Sequence, residues 1–197
     1  MRVVLGGYLR HPAECLDFEI GDAGKPRLRG RQGLYFNLSH SGEAMALAIS
    51  REVEVGVDIE AIRDVRDVEG LAESFFTETE WVALPAEGDS RRAAEICGIW
   101  TIKEACAKAV GQGLLLDLTK IAPCCSPASS RLHTGVFEAV YDVCARGHHL
   151  VYRWAPLPGY VAALALAKQA TAEHRPFLQH GQIRLVDGLG FALSAGT

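Results

Sequence analysis

Apolar and polar side chains alternate along residues 53–60, which predicts a β-strand with two different faces. The apolar face carries Val53, Val55, Val57 and Ile59, and the other face carries Glu54, Asp58 and Glu60. Neighbouring side chains of a strand point to opposite sides of the sheet. The carboxylates of Asp58 and Glu60 therefore point the same way. Before this strand, residues 34–41 and 44–49 predict two more strands joined by a polar turn.

Two helices are predicted between residues 75 and 113. Thr77 followed by Glu80 is a capping-box signal, so a short helix is expected to begin there and to end near Pro85. Residues 90–110 repeat apolar side chains at spacings of three and four, which predicts a longer helix. The glycines at 111 and 113 are typical of a helix end. This helix carries Glu104, with Lys103 beside it and Lys108 one turn later.

The C-terminal part returns to a strand pattern. Residues 135–141, 149–154 and 160–167 predict strands, and residues 160–165 echo the apolar segment 43–48. The pattern of three strands followed by a helix in the first half suggests two similar α+β halves packed together. We divide the chain into an N-terminal half, 1–112, and a C-terminal half, 113–197, which together make one functional domain. Residues 123–130 predict an exposed connection, and the tail from about residue 185 has no strong pattern.

Composition narrows the function only slightly. The chain has 197 residues, 49% hydrophobic and 22% charged, which is an ordinary globular composition. Its net charge of −4 gives no reason to expect nucleic acid or an acidic membrane as a partner. Six cysteines without a C-x-x-C pair favour reduced thiols. With no signal peptide and no apolar run long enough for a membrane span, we expect a cytoplasmic protein.

The carboxylates at 58, 60 and 104 are candidate ligands for a hard cation. Asp58 and Glu60 can meet one ion because they share a strand face, and Glu104 could add a third carboxylate from another element. Lys108 would then offer a positive charge suited to phosphate on the same helix face. From spacing alone, an alternative stays open: Asp58 and Glu60 could form a solvated strand face, and Glu104 with Lys108 an ordinary surface pair.

The complete set of short motifs identifies a family. The motifs are, in order, Gly24-Lys25-Pro26, Phe36-Asn37-Leu38-Ser39-His40-Ser41, Gly56-Val57-Asp58-Ile59-Glu60, Phe75-Phe76-Thr77, Trp100-Thr101-Ile102-Lys103-Glu104-Ala105 and Gly111-Gln112-Gly113-Leu114. In order and spacing they resemble the 4′-phosphopantetheinyl transferases of the surfactin-synthetase-activating (Sfp) type. The resemblance covers roughly residues 20 to 170, and it implies two α/β halves related by a pseudo-two-fold axis.

The resemblance also implies a reaction and a set of roles. The family transfers 4′-phosphopantetheine from coenzyme A to a serine of an apo acyl or peptidyl carrier protein and releases 3′,5′-ADP. In this sequence Asp58, Glu60 and Glu104 would bind Mg²⁺, and Glu104 would also act as the base, with Lys108 as the second catalytic residue. The implied coenzyme A contacts are Lys25, Ser39, His40, Lys103 and Lys108. A tandem of two halves also implies a monomer.

The start of the chain departs from the family pattern. Sfp-type enzymes have several dozen further residues before the Gly24-Lys25-Pro26 motif, and here residues 2–9 resemble the end of a helix. We therefore expect a first half shortened at its N-terminus, either because the start is placed too far downstream or because the protein is a shortened paralogue. A shortened, non-catalytic coenzyme A or carrier-binding paralogue is the first alternative function. A Mg²⁺-dependent nuclease is the second, although Lys103 and Glu104 are adjacent and helical here instead of forming E-x-K on a strand.

Overall fold

The computed structural model describes residues 1–30, 33–124, 130–133, 136–143, 146–167, 182–185 and 191–194. It shows an α+β fold, as the sequence predicts, in which helices pack against sheets whose strands are mainly antiparallel. The helices are α1 (Arg2–Leu9), α2 (Val65–Phe75), α3 (Glu78–Val82) and α4 (Arg92–Val110). The strands are β1 (Phe18–Ile20), β2 (Pro26–Leu28), β3 (Tyr35–Ser41), β4 (Ala44–Ser50), β5 (Val55–Ala61), β6 (Ile121–Pro123), β7 (Ser130–His133), β8 (Val136–Val143), β9 (His148–Trp154), β10 (Tyr160–Ala167), β11 (Gln182–Leu185) and β12 (Phe191–Ser194).

Strands from both halves of the chain form one sheet. In the six-stranded sheet, β5 pairs with β10, followed by β9, β8 and β6, and β7 also pairs with β8. Asp58 lies opposite Ala163 in the antiparallel β5–β10 ladder. A separate four-stranded sheet has the order β11-β12-β4-β3. The division at residues 112 and 113 and the pseudo-two-fold axis stay predictions, but the shared sheet fits two halves that act as one unit.

The long helix forms where the sequence predicts it. α4 runs from Arg92 to Val110, and Gly111 ends it in the left-handed conformation at φ 75°, which glycine adopts without steric cost. The buried side of α4 includes Ile102, Ala105, Cys106 and Ala109, which pack against the six-stranded sheet. Small residues at 105 and 109 allow the helix to lie close to β5.

The predicted capping box is confirmed at the start of α3. The Thr77 hydroxyl accepts a hydrogen bond from the amide of Glu80, while the Glu80 carboxylate accepts one from the amide of Thr77 at 2.8 Å. The helix α2 is not among the elements that the sequence predicts; the side chain of Asp64 caps it by accepting a hydrogen bond from the amide of Arg66. The tail, for which the sequence predicts no strand, contains β12, which runs parallel to β4.

Two further sequence predictions are only partly covered by the described residues. Most of the predicted connection 123–130 lies outside them, because residues 125–129 are not described. Within the described part of the chain, no helix is long and apolar enough to cross a membrane.

Candidate active site

A glycine sets the distance between α4 and β5. Gly56 lies on the face of β5 that also carries Asp58 and Glu60, and a Cβ atom at Gly56 would lie 2.0 Å from the carbonyl oxygen of Ala105 and 2.3 Å from the amide nitrogen of Ala109. No other residue type could occupy this position without moving the helix backbone. The contact residues are the neighbours of Glu104 and Lys108, so the same close approach brings those two side chains to the acidic face of β5.

Asp58 is the most deeply buried carboxylate of the site. Only 3% of its surface is exposed, and its Oδ1 accepts hydrogen bonds from Ser39 Oγ at 2.8 Å and from Lys108 Nζ at 2.6 Å. Its Oδ2 is buried without a hydrogen-bond partner among the described residues. Burial raises the pKa of Asp58, and the nearby Lys108 ammonium partly offsets this effect.

Glu60 is held in a similar way one step further along β5. Its Oε2 accepts a hydrogen bond from Ser41 Oγ at 2.8 Å and lies 3.4 Å from Nη2 of Arg63. Glu60 is half-buried, whereas Arg63 is largely exposed. Both carboxylates of the predicted pair therefore use one oxygen to bind a serine hydroxyl and a cationic side chain.

Glu104 faces this pair from α4. Its Oε1 is buried without a hydrogen-bond partner among the described residues. Burial raises the pKa of Glu104, Lys108 lowers it, and the charges of Asp58 and Glu60 raise it further. The structure thus brings together Asp58, Glu60, Glu104 and Lys108, the four residues that the sequence analysis placed at the chemical centre.

A cation fits this group of side chains, although they do not form a finished metal site. In the part of the chain that the structure describes, no three His, Cys, Asp or Glu side chains are arranged to hold a metal ion. Instead, Lys108 Nζ lies on Asp58. However, the two buried oxygens without partners belong to two of the three predicted ligands, Asp58 and Glu104. Carboxylate oxygens are the ligands that Mg²⁺ prefers, and a cation there would offset the cost of burying them.

Two lysines predicted to contact a ligand instead bind the protein. Lys103 is fully buried, and its ammonium donates to the carbonyl oxygens of Leu118 at 2.9 Å and Ile121 at 2.7 Å and pairs with Glu80 at 2.9 Å. The prediction that Lys103 contacts coenzyme A is therefore wrong. Its position on α4 places it in the interior, on the side opposite the acidic face of β5.

The ammonium of Lys25 also binds groups of the protein. Its ammonium contacts Glu54 Oε2 at 2.7 Å and the carbonyl oxygens of Val55 at 2.9 Å and Ala109 at 3.4 Å. An ammonium has three donors, and these three partners occupy them, so the contact of Lys25 with coenzyme A stays a prediction. Burial lowers the pKa of Lys25. The side chain borders a cavity of about 310 Å³, whose lining includes Arg27, Tyr35 and Glu54. The three predicted metal ligands, Asp58, Glu60 and Glu104, do not line it.

Ser39 and His40 lie on opposite faces of β3. Ser39 is buried, and its hydroxyl contacts Asp58, Lys108 Nζ at 3.1 Å and the amide of Ile59 at 3.4 Å. These partners use its one donor and two lone pairs, and a contact of Ser39 with coenzyme A stays a prediction. His40 is exposed and stays a prediction as a coenzyme A contact.

Ser41 belongs to the site but is not among the predicted site residues. Its signal was present in the alternation of Asn37, Ser39 and Ser41 along β3, which matches that of Gly56, Asp58 and Glu60 along β5. Polar residues at every second position predict a common face. That this face would meet β5, and not solvent, depends on the fold.

The chain matches the model of the 4′-phosphopantetheinyl transferase superfamily over residues 54–165. This match includes β5, α4 and all four central residues. It ends just before the last residues of β10.

Three curated relatives carry the same kind of name. The 4′-phosphopantetheinyl transferase HetI of Nostoc sp. is 37% identical over 117 residues, which cover 58% of this chain and 49% of HetI. AcpT of Salmonella typhi is 44% identical over 91 residues, covering 46% of this chain and 47% of AcpT. The transferase psf-1 of Bacillus pumilus is 32% identical over 164 residues, covering 83% of this chain and 66% of psf-1. The chain spans about half the length of the first two relatives.

Proposed function

Because the chain belongs to the 4′-phosphopantetheinyl transferase superfamily, we propose that it transfers 4′-phosphopantetheine from coenzyme A to a serine hydroxyl of an apo acyl or peptidyl carrier protein. The names of the relatives support this reaction. The grouping of Asp58, Glu60, Glu104 and Lys108 in one acidic, partly buried site supports it from the structure.

The observation that carries the proposal is the buried, unpartnered Oε1 of Glu104. A serine hydroxyl is a weak nucleophile at neutral pH and needs a base within hydrogen-bond reach. A carboxylate whose pKa is raised by burial holds a proton more strongly than an exposed one, so Glu104 is suited to take the proton of the attacking hydroxyl. The raised pKa of Asp58 has the same cause, but its Oδ1 is already bound by Ser39 and Lys108.

The proposed step transfers the β-phosphate of coenzyme A together with the pantetheine that it carries. The serine oxygen of the carrier forms a bond to the β-phosphorus of coenzyme A, and its proton goes to Glu104 directly or through water. The bond between the β-phosphorus and the bridging oxygen breaks, and 3′,5′-ADP leaves with the electron pair. The ammonium of Lys108 lies 2.6 Å from Asp58 Oδ1. Its positive charge would stabilise the negative charge that grows on the phosphates during the transfer.

We propose Asp58, Glu60 and Glu104 as the residues that would hold Mg²⁺. When bound, Mg²⁺ would neutralise part of the pyrophosphate charge. Asp58 and Glu60 offer their oxygens from adjacent positions on one strand face, and Glu104 offers its oxygen from α4. The close packing of α4 on β5 at Gly56 supports this arrangement, because it brings the helix that carries Glu104 next to the strand that carries Asp58 and Glu60.

Three further proposals concern the oligomeric state, the location and the partners of the protein. We propose a monomer, because β5 and β10 join both halves within one chain. A cytoplasmic location is supported by the free thiols of Cys15 and Cys97. The net charge of −4 supports a protein that binds neither nucleic acid nor an acidic membrane.

The test compares wild type with Glu104→Gln. Each protein is incubated with coenzyme A, Mg²⁺ and an apo carrier domain, and the carrier is followed by intact mass spectrometry. We expect Glu104→Gln to slow transfer by about 10²–10⁴-fold, the usual contribution of a general base, while circular dichroism stays unchanged. Glu73→Gln, on the exposed side of α2, is the matched control and should leave the rate unchanged.

Two results would contradict the proposal. Near-normal transfer by Glu104→Gln would remove Glu104 from the reaction. Binding of coenzyme A by wild type without modification of any carrier would favour the non-catalytic binding protein.

A further inference from the structure

β3 and β5 run side by side without a backbone ladder between them. They belong to different sheets, and polar side chains of β3 take the place of backbone acceptors. The amide of Val57 donates to Asn37 Oδ1 at 2.8 Å, that of Ile59 to Ser39 Oγ at 3.4 Å, and that of Ala61 to Ser41 Oγ at 3.1 Å. The donors and acceptors keep a constant spacing of twenty positions, so the two strands run parallel.

Each serine hydroxyl accepts a hydrogen bond from one backbone amide of β5. It also donates a hydrogen bond to the side chain of the residue that precedes this amide. Ser39 Oγ accepts from Ile59 and donates to Asp58 Oδ1, while Ser41 Oγ accepts from Ala61 and donates to Glu60 Oε2. Asn37 accepts from Val57, and the preceding residue is Gly56, which has no side chain to orient. The same arrangement thus repeats along the strands, and the two serines serve the two carboxylates.

Each serine binds only one of the two oxygens of its carboxylate. One oxygen of each, Asp58 Oδ1 and Glu60 Oε2, receives the serine hydroxyl and also a cationic side chain, Lys108 or Arg63. The other oxygen of Asp58, Oδ2, is buried without a partner, and no described residue donates to Oε1 of Glu60. Holding one oxygen fixes the side-chain torsions and hence the direction of the other oxygen.

We propose that Ser39 and Ser41 are positioning residues that orient Asp58 and Glu60, so that Oδ2 of Asp58 and Oε1 of Glu60 are both presented to the same divalent cation. This inference rests on the proposed function, because it concerns the cation of that site. Ser41 allows the cleaner test, since Ser39 also contacts Lys108 and its loss would change two interactions.

The experiment measures binding of Mn²⁺ alone, as a probe for Mg²⁺, to the full chain by electron paramagnetic resonance. Ser41→Val removes the hydroxyl, whereas Ser41→Thr keeps it. Valine and threonine have the same shape, so the two variants differ only in the hydroxyl. Partners that orient a metal ligand typically change metal affinity by about 10–100-fold. We expect Ser41→Val to weaken Mn²⁺ binding to this extent and Ser41→Thr to restore most of the affinity.

Two controls separate orientation from a purely structural role. Ser50 Oγ accepts from the amides of Glu52 and Val53 and contacts no carboxylate, so Ser50→Ala removes an equivalent hydroxyl elsewhere. Asn37→Ala removes one bridge between β3 and β5 without removing a bond to a carboxylate. Both controls should lower the melting temperature while keeping Mn²⁺ affinity close to that of wild type.

The outcomes distinguish the inference from the proposed function. If wild type binds no Mn²⁺, the proposed cation site is wrong. If wild type binds Mn²⁺ and folded Ser41→Val binds it equally well, or if Ser41→Thr is weakened as much as Ser41→Val, then the positioning role is wrong. An Asn37→Ala variant that loses as much affinity as Ser41→Val would also overturn it, because strand bridging alone would then explain the effect.

Discussion

Replacement of Gly56 by alanine tests how the site is assembled. The added Cβ would lie 2.0 Å from the carbonyl oxygen of Ala105 and 2.3 Å from the amide nitrogen of Ala109, whereas ordinary contact begins at 3.4 Å. The nearer atom would have to retreat by 1.4 Å to reach that distance. Because both atoms belong to the backbone of α4, no side chain can move aside to accommodate the methyl group.

The displacement would affect the chemistry more than the fold. Overpacking of this kind costs about 1–3 kcal/mol, which a protein of this size can often tolerate. A misplacement of about 1 Å, however, can slow a reaction by about 10²-fold. Since the displaced residues are the neighbours of Glu104 and Lys108, both would move away from Asp58 and Glu60 together.

The assay combines thermal melting with the rate of carrier modification and with Mn²⁺ affinity. Gly56→Ala should melt at a lower temperature, transfer at least about 10²-fold more slowly and bind Mn²⁺ more weakly. Gly70→Ala on α2 is the control, because its Cβ would meet nothing within 4 Å and should stabilise the helix by up to about 1 kcal/mol. A Gly56→Ala protein with wild-type melting and transfer would refute the close packing of α4 on β5.

Two further predictions concern buried charges. First, burial raises the pKa of Glu104 in the folded protein. The contribution of Glu104 to the stability of the fold is therefore fully present below its ordinary pKa of about 4.3, and it is lost as the pH rises through the folded-state pKa. Without divalent cations, Glu104→Gln should therefore gain melting temperature over wild type as the pH rises from 4.3 to neutral; a gap that does not change with pH would contradict this sign. Second, Lys103→Met should lower the free energy of unfolding in urea by about 3–5 kcal/mol, because it leaves Glu80 buried without its cation. Lys120→Met, in an exposed pair with Asp117, should barely change it, and equal effects of the two variants would show that Lys103 is not held as described.

Local patterns in the sequence predicted what depends on local geometry. The alternation in β5 placed Asp58 and Glu60 on one face, the capping box gave the start of α3, and Gly111 gave the end of α4. These signals depend on backbone periodicity and on hydrogen bonds between residues a few positions apart. The helix α2 is harder to predict because it is only 11 residues long and has Gly70 at its middle, and glycine disfavours a helix interior.

The roles of several polar residues depend on distant contacts, so the sequence could not assign them. Lys25 bonds to the carbonyl oxygen of Ala109, a separation of 84 residues, and Lys108 reaches Ser39 over 69 residues. Lys103 stands next to Glu104 in the chain, yet the helix turns it into the interior. A family motif shows which residues occur together, but only packing decides which of them face a ligand.

The most direct test of the central claim is a quantitative product measurement with wild-type protein. Coenzyme A, Mg²⁺ and an apo carrier domain are mixed with the protein, and the phosphopantetheinylated carrier and free 3′,5′-ADP are measured in the same sample by mass spectrometry. We predict that both products form in equal amounts and that the modification lies on a carrier serine. If the carrier remains unmodified, or if 3′,5′-ADP is released without a modified serine, the protein does not perform the transfer that we propose.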